Sequence, residues 1–529
     1  MSAIKPFIYF SLVAFGLFLG IWLKPSSGVF NNSSPIDEAI SLAKAAYVDT
    51  INEQQLKQTA IESMLANLDP HSVYIPAKDL AESNEPLEGG FDGIGVEFNI
   101  YKDTILVVSS INGGPSQSAG IISGDKIVKV NNKIVAGIKI TNEQVMKLLK
   151  GPKGTKVSLG IQRRNKARLL SFEIIRDKIP IYSVDAGYMI DAENGYIKIS
   201  RFAETTYDEF LARLKKLKEK GLKNLILDLR GNPGGYLTAA TKITDELLSD
   251  KKLIVYTEGL HQKKSEYFCE KEGLFETGKL IIIIDEGSAS ASEIVSGSIQ
   301  DSDRGLILGR RSFGKGLVQE QMQLSDGSGL RLTVARYYTP SGRCIQKAYD
   351  HDIEGYESEV YDRYKNGELA KLDSAKITKH KAFKTLAGRT VYDGGGISPD
   401  IFVPADTGGH YSLINAMLQE NVLRNIAIDL NEKYKSEFNS LKQVNDIDAA
   451  WKKIEKEAEV LVNIEIKRLG FTHKASPPAV KQVLLYVESV IARLHFSEEG
   501  FYYIYNQKDK NIIQALSVFK SKKEWKFIE

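Results

Sequence analysis

The chain has 529 residues, 43% hydrophobic and 26% charged, a globular rather than disordered composition with room for three or four domains. Its 70 basic and 67 acidic residues leave a net charge of +3, which implies no dedicated nucleic-acid surface. Two cysteines, Cys269 and Cys344, exclude a disulfide scaffold and a cysteine-based zinc site, and a bridge between them is not expected, given the geometry it demands.

The predicted elements begin with an uncharged apolar run from Pro6 to Leu23, between Lys5 and Lys24. As a helix it is about 27 Å long, enough to cross a bilayer core. The exit, Trp22-Leu23-Lys24-Pro25-Ser26-Ser27, lacks the small residues of a cleavage site, so residues 1–27 read as an uncleaved anchor ahead of a cleaved signal. Either reading exports the rest of the chain. Residues 28–85 read as a helical region, with Ile40, Ala43, Tyr47, Leu56, Ile61 and Leu65 at helical spacing, stopped at Leu68-Asp69-Pro70-His71-Ser72. From about 181 the pattern is α/β. Gly195–Ile199 reads as a strand, Tyr207–Lys218 as an amphipathic helix, and Leu225–Arg230 as a strand ending in Gly231-Asn232-Pro233-Gly234-Gly235. Such alternation predicts a mostly parallel sheet with functional loops at the strand ends.

The central stretch follows. Ile281 to Ile284 is an unbroken apolar run, read as a buried strand. Asp285-Glu286-Gly287 ends it, and a helix opens at Glu293. Ser288, Ser290 and Ser292 thus sit on a strand-to-helix turn, where backbone N–H groups and the helix N-terminus favour negative charge. Any of the three has the placing of an acyl-transfer nucleophile, which needs a base. Lys315, between Gly314 and Gly316, is the candidate. Its ordinary pKa is about 10.4, and bringing it to about 7 costs about 4.6 kcal/mol, which burial of the amine can supply. The amide oxygen of Gln319 is placed to hold that amine. This is a serine–lysine dyad, and no metal or organic cofactor is expected.

The segments GSASASEI (287–294), SFGKGLVQ (312–319) and DLRGNPGG (228–235) together resemble the carboxyl-terminal processing peptidases, exported serine–lysine endopeptidases that carry a PDZ domain. The resemblance runs from about residue 35 to about 405. It implies Ser290 as the nucleophile among the three serines, Lys315 as the base 25 residues on, and Gln319 as its support. It places the oxyanion hole at the amide of Ala291 and one glycine amide of the NPGG turn, Gly234 or Gly235. Residues 86–180 resemble the PDZ domain itself. Gly93, Ile94 and Gly95 correspond to the loop whose N–H groups bind a terminal carboxylate, and Val96 and Phe98 would receive the last apolar side chain of a peptide added as a strand. In some relatives an arginine at the position of Arg163 couples this domain to the active site. His71, in LDPHS, reads as structural.

The expected fold is therefore an α/β catalytic core with a mostly parallel sheet (181–406), an inserted PDZ domain (86–180), and helical N- and C-terminal regions. One departure from the family pattern is an insertion over 348–390, ahead of Gly395-Gly396-Ile397-Ser398-Pro399-Asp400. It is expected to leave the dyad untouched and to reshape the cleft or an interface. Residues 407–529 read as a C-terminal helical extension for packing or oligomerisation, with Val480, Val483, Leu484, Val487 and Ile491 at helix spacing. The function expected is an exported, periplasmic endopeptidase anchored to the inner membrane. Its partners would be protein substrates with apolar C-termini, the membrane and, in addition, copies of itself. A catalytically silent PDZ adaptor and a small-molecule esterase or amidase are the alternatives. Both dyad residues are present, against the first, and a peptide-binding module would be pointless in the second.

Overall fold

A computed structural model describes residues 34–111, 113–164, 166–249, 251–349, 352–371, 380–405, 410–471 and 475–526. The apolar segment read as an anchor lies outside them, and no helix among the described residues is long and apolar enough to cross a membrane. The chain divides into two compact units, Met1–Leu68 and Asp69–Glu529. In the first, the helical region is two helices, Pro35–Ala46 and Glu53–Ala66, the second capped by the Asn52 side chain accepting from the Gln55 N–H.

The second unit is built on a six-stranded sheet in the order Val184–Met189, Asn194–Ile199, Asn224–Asp228, Lys279–Ile284, Leu306–Gly309, Ile401–Phe402. Its first pairing is antiparallel and the other four are parallel. Parallel ladders are confined to this sheet; the other sheets of the described residues are antiparallel. The isoleucine run is continuous because both faces are covered. Ile282 and Ile284 pack with the helices Thr206–Glu219, Leu237–Asp245 and Ala291–Asp301. Ile281 and Ile283 pack against Ile512, Ala515, Val518 and Phe519 of the last helix, Lys510–Lys520, and against Trp525. The far end of the extension is therefore the second cover of this six-stranded sheet, which the amphipathic pattern alone does not reveal.

A second sheet is built on the long strand Gly329–Tyr338, paired with Leu317–Gln323, Leu253–Glu258 and Val73–Ile75. Residues 69–85, assigned from sequence to the N-terminal helical region, thus belong with the core. The buried Asp69 carboxylate fixes them there, accepting from the His71 and Ser72 N–H groups, the Ser72 hydroxyl and the Thr333 hydroxyl.

The PDZ region enters and leaves through an antiparallel ribbon, Gly90–Gly93 with Asp177–Pro180. Beyond it lie the strands Val96–Ile100, Ile105–Ser110, Lys126–Val130, Lys156–Gln162 and Leu170–Ile175 and the helix Asn142–Leu149. That helix starts in a capping box between Thr141 and Gln144. The helices Val422–Lys433, Ile447–Arg468 and Pro477–Tyr505 share a separate apolar core.

Candidate active site

The turn after Lys279–Ile284 sorts the three serines. Ser288 is fully buried and donates to the Leu229 carbonyl at 2.9 Å; Ser292 is fully buried and donates to the Asn232 carbonyl at 3.0 Å. Both hydroxyls tie the turn to the DLRGNPGG loop. The Ser290 hydroxyl donates to no group among the described residues and lines a cleft of about 570 Å³ that also holds Lys315, Gln319, Gly235, Arg331 and Tyr337. Ser290 has φ 53° and ψ −113°, a conformation costing about 1–3 kcal/mol for a residue with a Cβ. Its neighbours over-determine it. The Ser290 N–H donates to Glu293 Oε2 at 2.8 Å, and its carbonyl accepts from the Tyr337 hydroxyl at 3.1 Å and from the Glu293 N–H at 2.8 Å.

Glu293 is the hub of the site. It is fully buried; Oε2 accepts from the Ser290 and Lys315 N–H groups, and Oε1 from the Gly314 N–H at 2.7 Å and the Ser312 hydroxyl at 2.5 Å. Burial pushes its pKa up, and these four donors oppose that. One carboxylate thereby joins the serine turn to the lysine loop. Sequence reasoning took Glu293 only as the start of a helix, although Ser-x-x-Glu is itself the signature of reciprocal bonding at a helix N-terminus.

The Lys315 amine donates to Gln319 Oε1 at 2.9 Å, and Gln319 Nε2 donates to the His71 carbonyl at 2.5 Å. Burial lowers the lysine pKa and the nearby Arg331 guanidinium adds to this, while Asp69 and Glu293 oppose it. The Tyr337 hydroxyl also meets the Lys315 carbonyl, at 2.7 Å. His71 contributes its backbone to the site. Its imidazole, lowered to about 4 by burial and then by Lys315, meets the Tyr356 hydroxyl at 2.8 Å.

The NPGG turn packs directly on Ser290. The Gly234 N–H is engaged with Asn232 Oδ1 at 2.9 Å, and Asn232 Nδ2 donates to the Ile199 carbonyl. Neither the Gly235 N–H nor the Ala291 N–H donates to any group among the described residues. Of the two glycines that sequence left open, Gly235 is the one with a free amide. Gly235 must be glycine: it sits at φ 144°, and a Cβ there would lie 2.1 Å from the Phe202 carbonyl oxygen. The loop base is held by Arg230, which pairs with the buried Asp228 and, at 2.7 Å, with Asp509 just ahead of the last helix.

Gly93, Ile94, Gly95, Val96 and Phe98 lie together in the PDZ region, apart from this cleft. Ile94 is buried, and Val96 and Phe98 pack on the PDZ core. The Ile94 and Gly95 N–H groups have no acceptor among the described residues. The helix Ala77–Glu88 joins the two places: Ser83, Asn84 and Leu87 line the cleft, and the chain then enters the ribbon at Gly90. Arg163 is not brought to the cleft. It chelates the buried Asp125 carboxylate at 2.7 Å and donates to the Gly120 carbonyl, which staples the Gly124-Asp125 turn. The two cysteines are both free thiols. Among the described residues no group of His, Cys, Asp and Glu is arranged to hold a metal ion.

A half-buried serine on a strand-to-helix turn, a half-buried lysine lining the same cleft and an inserted peptide-binding module make the layout of a serine peptidase. Comparison with known proteins agrees. The profile of Peptidase family S41 matches residues 193–354, and that of the PDZ domain residues 83–162. The carboxy-terminal-processing protease of Bartonella bacilliformis is 37% identical over 368 residues, covering 69% of this chain and 82% of that protein. The carboxy-terminal processing protease CtpB of Bacillus subtilis is 34% identical over 319 residues, 59% of this chain and 65% of that protein. Among solved structures, the photosystem II D1 C-terminal processing protease is 25% identical, covering 70% of this chain and 92% of that one, with a TM-score of 0.36. The chain belongs to peptidase family S41, among the carboxy-terminal processing proteases.

Proposed function

We propose that the protein is an exported endopeptidase that takes the C-terminal tails of proteins on its PDZ domain and cuts them with a Ser290–Lys315 dyad through an acyl-enzyme. The observation that carries this reading is the pairing, in one cleft, of a hydroxyl with no acceptor among the described residues and a half-buried amine held on Gln319 Oε1 at 2.9 Å. A lysine whose pKa is lowered has more free amine near neutrality, so it accepts the Ser290 proton. Oγ then bonds to the scissile carbonyl carbon. The oxyanion that forms is stabilised by the Gly235 and Ala291 N–H groups, each such donor being typically worth about 10²–10³ in rate. Lys315 passes its proton to the leaving amine as the C–N bond breaks, leaving an acyl-serine. It next takes a proton from water, whose oxygen attacks the ester and releases Ser290 with its proton restored. The PDZ loop, with the free Ile94 and Gly95 amides, would hold the tail's carboxylate while the tail adds beside Val96–Ile100. Residues 1–27, with their apolar run, would keep the enzyme at the inner membrane facing the periplasm.

The test is cleavage of an unstructured protein with an apolar C-terminus by wild type, Ser290→Ala, Lys315→Ala and Ser288→Ala. Loss in the first two variants, with cleavage retained by Ser288→Ala, is the expected outcome. Continued cleavage by Ser290→Ala would remove the assignment.

A further inference from the structure

The 348–390 insertion was expected to leave the dyad untouched. The structure puts its helix, Ile353–Lys365, directly behind the lysine loop. Arg363, 1% exposed, donates to the carbonyls of Arg311, Ser312 and Phe313 at 3.2, 2.8 and 3.2 Å, and its Nε pairs with Glu359 at 2.7 Å. Three successive carbonyls just ahead of Gly314-Lys315 thus point at a guanidinium from the inserted helix. Lys347 lies 3.9 Å from the Phe313 ring centre and 4.0 Å from that of Tyr356, and donates to the Tyr356 carbonyl at 2.9 Å. This clamps the loop's aromatic side chain to the same helix.

Tyr356 reaches further. It is 4% exposed, and its hydroxyl meets two groups. One is His71 Nε2 at 2.8 Å; the carbonyl of that same residue receives Gln319 Nε2, and Gln319 Oε1 receives the Lys315 amine. The other is Gln346 Nε2 at 3.3 Å, and Gln346 Oε1 accepts from the Gly316 N–H at 2.8 Å. A hydroxyl that accepts from Gln346 is free to donate to the ring nitrogen of a neutral His71. Two separate routes therefore lead from one phenol to the two sides of the catalytic lysine, its amine and its following peptide.

We propose that the inserted helix is a positioning element for Lys315, with Tyr356 as the residue that joins it to the dyad. The inference rests on the Ser290–Lys315 reading above. Freed of Tyr356, the Gln319 amide loses the fixed His71 carbonyl, and the amine it holds swings toward water. The charged and titratable groups facing that amine from other elements are Arg331 on the long strand, Asp69 and His71 on the preceding loop, and Glu293 on the serine helix; of these only His71, which loses its bond to the phenol, is touched by the change. The lysine then keeps its proton to higher pH.

The test is the pH profile of kcat/KM for the full-length chain, using the same unstructured protein substrate. Tyr356→Phe keeps the ring against Phe313 and Lys347 and removes only the hydroxyl. Its kcat near neutrality is expected to fall about tenfold, with KM within about twofold. The acid limb should move up by about one unit, the shift that a tenfold fall on that limb requires, so that activity recovers in alkaline buffer. Gln346→Ala cuts the second route and is expected to shift the limb the same way by less. An acid limb that stays at the wild-type pH in both variants, including a uniform loss at every pH, overturns the proposal. Lys315→Ala, run alongside, separates the two readings. If it is inactive while Tyr356→Phe has the wild-type profile, only the positioning role falls. If Lys315→Ala still cleaves, the dyad falls and this inference with it.

Discussion

Gly235 and Ala291 at the cleft, and Ile94 and Gly95 in the PDZ domain, all present N–H groups without acceptors among the described residues, but the surroundings that aim them differ. In the cleft the framework is buried and shared: Glu293, Asn232, Tyr337 and Arg363 each bond to two or more backbone groups of the serine turn, the NPGG turn or the lysine loop. The PDZ loop sits on a module held to the rest of its unit by a two-stranded ribbon and by half-exposed polar pairs. Glu97 meets Arg424 at 3.5 Å and Arg493 at 3.0 Å, Arg164 meets Glu432 at 2.9 Å, and the Tyr101 hydroxyl meets Asp429 at 3.0 Å. Buried bonds that leave an unpaired group when broken cost several kcal/mol, whereas exposed ion pairs are worth about 0–1 kcal/mol each. On the function proposed above, a fixed reaction geometry is separated from an adjustable presentation of the tail, and substitutions on the two sides should differ accordingly.

The largest effect is expected at Glu293. Glu293→Gln conserves shape but replaces one acceptor oxygen with an NH2 group, which must then face two of the four donors (the Ser290 and Lys315 N–H groups, or else the Gly314 N–H and the Ser312 hydroxyl). Each donor so stranded costs about 1–3 kcal/mol, and the strained Ser290 loses its tether. Cleavage should drop by at least about 10²-fold, the scale of losing one main electrostatic contribution, together with a lower midpoint in urea unfolding. Wild-type kcat in this variant would mean that the two loops are held by other contacts. A smaller effect is expected at Arg331, whose Nη2 bonds Gln321 at 3.0 Å and Asn84 at 3.3 Å and whose charge helps keep the lysine pKa down. Arg331→Gln should raise that pKa, so that the acid limb of kcat/KM moves to higher pH by up to about one unit with little change at alkaline pH. A limb moving to lower pH would contradict the sign.

Much of this division was legible in the sequence, and its limits are physical. The serine turn and the lysine loop could be read because each is local: an apolar strand that ends in small residues, and a lysine set between glycines. Which serine is free could not be read from the turn, because the acceptors that engage Ser288 and Ser292 are carbonyls on the DLRGNPGG loop, 59 and 60 residues away. Asn232 bending back onto the Gly234 N–H is a local Asn turn that Asn-Pro-Gly foreshadows, so the choice of Gly235 was within reach. The Tyr356–His71 contact spans 285 residues and leaves no local trace, which is why the insertion seemed remote from the dyad. Arg163 followed its position in the family, but its partner is set by the buried Asp125 in its own domain.

The smallest effect, and the one that sharpens the contrast most, is expected at Glu97. It stands on Val96–Ile100, the strand beside which a tail would add, and its carboxylate bridges to two arginines of the helical extension. The residues facing the other way, Val96 and Phe98, keep the PDZ core together, so Glu97→Ala removes two of the polar ties on the module without unfolding it. Stability should change by less than about 1 kcal/mol, as for other exposed pairs. Cleavage of a short peptide that reaches only the cleft should be unchanged, since no cleft residue is altered. Cleavage of a protein presented by its tail should change in KM by about two- to fivefold, the range of about 0.4–1 kcal/mol in orientation. Equal changes for peptide and protein substrates would mean that the PDZ contacts and the dyad are one mechanical system, because an adjustable module joined to a fixed cleft alters only the binding that passes through it.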